Sequence, residues 1–202
     1  MSSILKVDEI QDTSGNNIIN ENANTVTIGK SGDTVNVVGT LQNNGNNAVG
    51  ITMADNWRLS AAYTSGTGQN DITSNWERND TSGTGFIGTG MTESSGIFSF
   101  PQTGIYLIHA GTYMVGQNAN YAGLIIKTTT DNSTYSEQTL GYNEVGSATN
   151  EHSGVLISYI FDVTDISTHK VKLTSETAAA VTISGNTSAD RTYLRFIRLG
   201  DT

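Results

Sequence analysis

From Val155 to Val163 every second residue is apolar: Val155, Ile157, Tyr159, Phe161 and Val163. A period of two lines up one side of an extended strand, whereas a helix would scatter these residues around its axis. Leu156 and Ile160 lie on the opposite parity. The run Ile105–Val115 is apolar on both alternate sets, which predicts a central strand covered on both faces. Lys170, Lys172 and Thr174 alternate with Val171 and Leu173, the pattern of a half-exposed strand. Thr192–Leu199 predicts a last, mostly buried strand. Turn clusters such as Thr81–Gly85, Asp131–Ser133 and Ser184–Asn186 punctuate these runs, and no helical stripe of useful length occurs. Many strands with closely spaced turns predict an all-β, antiparallel sandwich.

Composition narrows the function. Charged residues are 14% of the chain, against about 25% in an average soluble protein, and the polarity comes from Thr, Ser, Asn and 22 Gly. That is not the charge-rich signature of a disordered tail. A net charge of −9 argues against nucleic acid, which needs a basic stripe. The ten Lys and Arg form no run, so an anionic membrane surface is an equally poor partner. No apolar stretch approaches the roughly 20 residues of a spanning helix, and membrane insertion is not expected. The N-terminus shows neither a basic leader nor an apolar core of a signal peptide. Without Cys there are no disulfides or thiolate metal sites. A protein made in a cytoplasm and held by packing is expected.

The chain has two grammars. Residues 1–50 carry no aromatic side chain, and Thr25–Gly29 is echoed by Thr34–Gly39 nine residues later, with Lys30–Asp33 as the turn. Ile18-Ile19 reads as an earlier copy. Strands this short make no core alone, but neighbouring turns or chains can supply the missing contacts. The competing reading is a floppy polar arm with a chance hairpin. Asn43–Asn47 reads as a turn or linker and sets the boundary between a β-repeat stem, 1–50, and a head, 51–202.

Several motifs match on paper only. Gly83, Gly85 and Gly88 satisfy G-x-G-x-x-G, yet the dinucleotide fingerprint must open a helix and this one runs into a strand. Gly29-Lys30-Ser31 resembles the end of a phosphate loop, but Asn24 stands where its first Gly belongs. His109, His152 and His169 show no metal-ligand spacing, and His109 is expected as a hydrogen-bonded core residue. No G-x-S-x-G elbow is present. Neither a metal nor a cofactor nor a catalytic group is expected. The reading kept open against this is a glycan hydrolase using paired carboxylates, for which Glu77 and Glu144 are named only as acidic residues in loop-rich surroundings, since no spacing singles them out.

Two stretches carry a resemblance. Gly96-Ile97-Phe98-Ser99-Phe100-Pro101-Gln102-Thr103-Gly104-Ile105-Tyr106 resembles the G-x-F-x-x-P-x-x-G-x-Y motif of the complement C1q and tumour-necrosis-factor-like (TNF-like) jelly roll. Asn75–Glu77, Ser153–Leu156, Val171–Leu173 and Tyr193–Phe196 follow in the order of that family, so the resemblance covers roughly residues 57–199. It implies a ten-stranded jelly roll assembled as a homotrimer. Leu5–Ile19 and the Thr25–Gly39 repeat resemble the start of fibre-like and other virion structural proteins of tailed bacteriophages, especially marine ones. That implies a stem attached to other virion proteins, with the head outward.

Three functions follow as expectations. In the first, a trimeric short fibre or spike in the virion binds a host surface glycan or protein. Asn118, Asn120, Tyr121 and Tyr142 are its candidate receptor contacts, because polar and aromatic groups gather there between strands. In the second, a decoration or cement protein or head fibre staples the capsid. Leu5, Val7, Ile10, Ile18 and Ile19 then form the adhesive part by β-addition. The third is the virion-borne hydrolase.

Overall fold

A computed structural model describes residues 37–39, 41–43, 46–47 and 50–202. The chain divides into two compact units, Met1–Ala48 and Val49–Thr202. Leu5, Val7, Ile10, Ile18 and Ile19 lie outside the described residues, as do Gly29-Lys30-Ser31 and most of the repeat. In the first unit, β1 (Gln42–Asn43) pairs antiparallel with β2 (Asn46–Asn47), Gln42 opposite Asn47 and Asn43 opposite Asn46.

The second unit is a two-sheet β-sandwich. Sheet I contains β3 (Ala54–Leu59), β4 (Tyr63–Ser65), β6 (Trp76–Arg78), β9 (Gly104–Gly116), β12 (Glu151–Val163), β14 (Val181–Ile183) and β15 (Tyr193–Gly200). Sheet II contains β5 (Gly68–Asp71), β7 (Thr92–Ser94), β8 (Ile97–Ser99), β10 (Ala119–Thr129), β11 (Ser136–Val145) and β13 (Lys170–Thr177). β9 is the spine of sheet I, with β12 along one edge over its whole length and β15 then β14 along the other. β13 plays the same part in sheet II, between β10 and the pieces β8 and β5. All strand pairs are antiparallel and the strands cross between sheets as in a jelly roll. Thirteen strands stand where ten are expected; β4, β6, β7, β8 and β14 have three residues each and β5 four.

Period two decides the core. Tyr106, Ile108, Ala110 and Met114 of β9 point inward with Val155, Ile157 and Phe161 of β12 and Leu194 and Phe196 of β15. Phe98 sits among Trp57 at 5.5 Å, Trp76 at 5.2 Å and Phe196 at 5.4 Å, meeting both Trp rings edge-on. Phe100 packs on Tyr106 at 4.7 Å, and the Tyr106 hydroxyl donates to the Gln102 carbonyl at 2.8 Å. The Pro101 corner is thus clamped by the first aromatic residue of the strand it introduces. Gly104 has φ +144°, and a methyl there would meet the Gly200 carbonyl oxygen at 2.5 Å.

Two buried charges fasten the loops. Asp55 accepts from Trp57 Nε1 at 2.9 Å, Arg78 Nε at 3.0 Å and the Met91 amide at 2.8 Å. Arg58, fully buried, donates to Glu77 at 2.7 Å, Asn79 at 2.9 Å, Thr81 at 2.6 Å and Asp80 at 2.9 Å. The glycine-rich segment returns to β3 through Ala54 and Ile87, which exchange both backbone bonds. Gly88, at φ +67°, lies against the Thr52 carbonyl, where no side chain would fit. The glycines that imitate a dinucleotide loop are a turn, and the strand β7 follows them.

Candidate functional site

The outward face of sheet I corrects two expectations. The second apolar set of β9 is not covered: Ile105, Leu107, His109, Tyr113 and Val115 are half-buried and face away from the core. His109 is therefore not a core residue; parity puts it outside, 5.7 Å from the Tyr193 ring. The histidine buried inside is His169, stacked on Phe161 and within hydrogen-bond distance of the Thr164 and Thr168 hydroxyls. Strand register turns the outward set into rows. Ile160, Leu107, Ile197 and Ala54 stand side by side on β12, β9, β15 and β3, and the Ala54 bridge adds Ile87. The next row is Ser158, His109, Arg195 and Asn56, followed by Leu156, Gly111, Tyr193 and Arg58. Leu156 is 69% exposed, Ile160 59%, Leu199 55% and Ile87 48%. An apolar row crossing four strands and a loop is unusual on the surface of a monomer.

Electrostatics adds to the middle row. Arg195 is held by Asp190 at 3.0 Å and lies 4.1 Å over the Tyr193 ring. Burial, with the Arg195 charge second, pushes the His109 imidazole below its usual value.

The expected receptor contacts fall in two places. Asn118 is in the β9–β10 turn, at φ +55°, its amide donating to the Gly146 carbonyl at 2.7 Å. Asn120 and Tyr121 belong to β10 and Tyr142 to β11, so three of the four are strand residues rather than loop residues. Strand pairing through Gly123 and Tyr142 brings Tyr121 and Tyr142 together on the outward face of sheet II, rings 5.4 Å apart and nearly perpendicular. The Tyr142 hydroxyl donates to Glu176, and burial together with that carboxylate pushes its pKa well up. Sequence reasoning missed the groups that join this patch. Gln69 donates to Glu137 at 2.6 Å and to Glu176 at 3.2 Å and accepts from Lys127 at 2.5 Å. Only cross-strand register, with Glu176 opposite both Gly123 and Gln69, could have revealed them.

The carboxylates weighed for hydrolysis are not paired. Glu77 in β6 is bound to Arg58, whereas Glu144 is exposed on β11 of the other sheet. Among the described residues no group of three His, Cys, Asp or Glu is placed to hold a metal ion, and no helix is long and apolar enough to cross a membrane.

No family model matches the sequence, and no curated protein is similar to it. Solved structures are. The TNF Eiger of S. frugiperda superposes with a TM-score of 0.57 at 10% identity, covering 74% of this chain and 93% of that one. Murine APRIL at pH 5.0 gives a TM-score of 0.54 at 11% identity, over 73% and 98% of the two chains. Murine APRIL at pH 8.5 gives 0.51 at 13%, over 72% and 99%. At such identities the likeness concerns the fold: an antiparallel jelly roll of the TNF-like kind.

Proposed function

We propose that this chain is a non-catalytic virion structural protein of a tailed bacteriophage, a homotrimeric short fibre or spike. It is made in the host cytoplasm, attaches to the particle through its N-terminal region, and binds a host surface glycan or protein through its head. The observation that carries self-association is the outward face of sheet I, where Ile160, Leu107, Ile197, Ala54 and Ile87 form one apolar row. The occupant that suits it is a second copy of the chain. The edge strand β12, bearing Leu156 and Ile160, lies on the face of the next protomer, a head-to-tail contact that a threefold rotation closes into a ring. The virion role is supported by the resemblance of Leu5–Ile19 and Thr25–Gly39 to phage structural proteins. A non-catalytic reading is supported by Glu77, whose carboxylate is occupied by Arg58.

Immunogold labelling of purified particles with antibody raised against residues 51–202 tests the assignment. Label confined to the tail is expected. Label over the capsid would replace the fibre by a decoration protein, and absence of label from particles would remove the virion role.

A further inference from the structure

At one end of the head, the outward face of sheet I carries a shallow, open depression of about 250 Å³, lined by Thr64, Val115, Gln117, Asn150, Val181 and Thr182 among others. It lies two rows beyond Leu156–Gly111–Tyr193, where His152 is opposite Val115, Val115 opposite Thr182, and Thr182 opposite Thr64. The chain enters the head at the other end. Met53 accepts from the Arg198 amide close to the start of β9, whereas the depression adjoins its end at Gly116. Arg198 is opposite Tyr106, ten residues before Gly116, which separates the two by about 33 Å.

We infer that this depression is a binding site for an uncharged saccharide. None of its lining residues is ionisable, in a chain of net charge −9. Val115 supplies an apolar side chain on the outward face beside Thr182, and Thr64, Gln117, Thr149 and Asn150 bring hydroxyls and amides around it, whereas Val181 takes the opposite parity and belongs to the core. That combination suits a sugar ring, which presents C–H groups on its faces and hydroxyls at its edge. The polar groups are also available. Among the described residues, the Thr64, Thr149 and Thr182 hydroxyls and the Asn150 amide take no hydrogen bond, and Gln117 spends only Nε2, on the Ser147 carbonyl at 2.9 Å. The tyrosine patch on sheet II differs in this respect, since Tyr142, Glu176, Gln69, Glu137 and Lys127 are engaged with one another. A ligand there would first break those bonds. At the depression's edge stands His152, stacked 5.2 Å from Tyr113 and bonded through Nδ1 to its hydroxyl at 2.6 Å, a flat aromatic border beside the polar rim.

The inference rests on the host-glycan branch of the proposed function and moves its contact surface away from Tyr121 and Tyr142. The test applies the full-length protein to an array of neutral and acidic oligosaccharides, then titrates the best neutral binder with wild type, Gln117→Ala/Thr182→Val and Tyr121→Ala/Tyr142→Phe. The expected result is binding to neutral glycans that the depression pair weakens about tenfold or more while the tyrosine pair leaves it unchanged. Preference for acidic glycans, equal binding by the depression pair, or loss only in the tyrosine pair would overturn the inference. Tail labelling without any glycan binding would sink the saccharide site and leave the virion role standing. Binding that depends on the depression, by a protein absent from particles, would do the reverse.

Discussion

Replacing Leu156 and Ile160 together by Asp separates a subunit interface from an ordinary surface. The two side chains are 69% and 59% exposed in the single chain and point away from the core set Val155, Ile157 and Phe161. Full burial of a Leu or Ile contributes about 1.5–3 kcal/mol, so covering the exposed fractions contributes about 2–4 kcal/mol per protomer. A three-membered ring has three such contacts, and the lost burial alone is then about 6–12 kcal/mol, before the cost of desolvating new carboxylates. Association of this strength is lost at micromolar concentration once that sum is removed. Sedimentation equilibrium should give about 64 kDa for the wild type, three times the 21.4 kDa chain, and the single-chain mass for the variant. The urea midpoint of the dissociated variant should still report a folded β-sandwich. A wild type that sediments as a monomer, or a double variant that stays trimeric, would refute the reasoning. So would a variant that unfolds, since the outward set would then be holding the fold and not the neighbour.

Three further outcomes follow from other parts of the structure. Arg58→Met should lower stability by about 2–4 kcal/mol in urea denaturation, less than for a wholly buried pair because Glu77 and Asp80 both reach water once released. Gly104→Ala should cost on the order of 2–3 kcal/mol, since its φ of +144° and the nearby Gly200 carbonyl both oppose a methyl; the urea midpoint checks it. His109, held below its ordinary pKa, takes up its proton less readily folded than unfolded, so its stabilising share is complete above about pH 6.5 and declines as pH falls towards the folded value. Thermal midpoints between pH 7.5 and 5 should therefore drop, and His109→Gln should flatten the slope; an unchanged slope would show that other groups set it.

The sandwich was legible because its signal is local. Alternation along Val155–Val163 and the Pro101 corner state strand and turn without reference to any partner. Thr174 shows where that reading fails. Alternation placed it on the exposed side of its strand, yet it is fully buried, because Asp71 of β5 pairs opposite and accepts its hydroxyl at 2.6 Å. The extra rungs escaped for the same reason: β5 is a strand by virtue of β13, β14 by virtue of β9, and β4 in turn by virtue of β14.

The candidate sites were less legible, and the cause is one of geometry. An apolar residue at period two satisfies a core or a neighbouring subunit equally well, so Leu107 and Ile108 carry the same sequence signal although one faces out and the other in. The expectation that Ile105–Val115 is covered on both faces is therefore met on one face alone: the sandwich covers the inner set, and the outer set stays half-exposed in the chain. His109 was assigned to the core by the same ambiguity. A histidine and an arginine side by side next to an apolar row make little sense as interior packing. They suit the proposed subunit face, which meets water in the free chain and where a polar row would fix the register that an apolar row alone would leave free to slip.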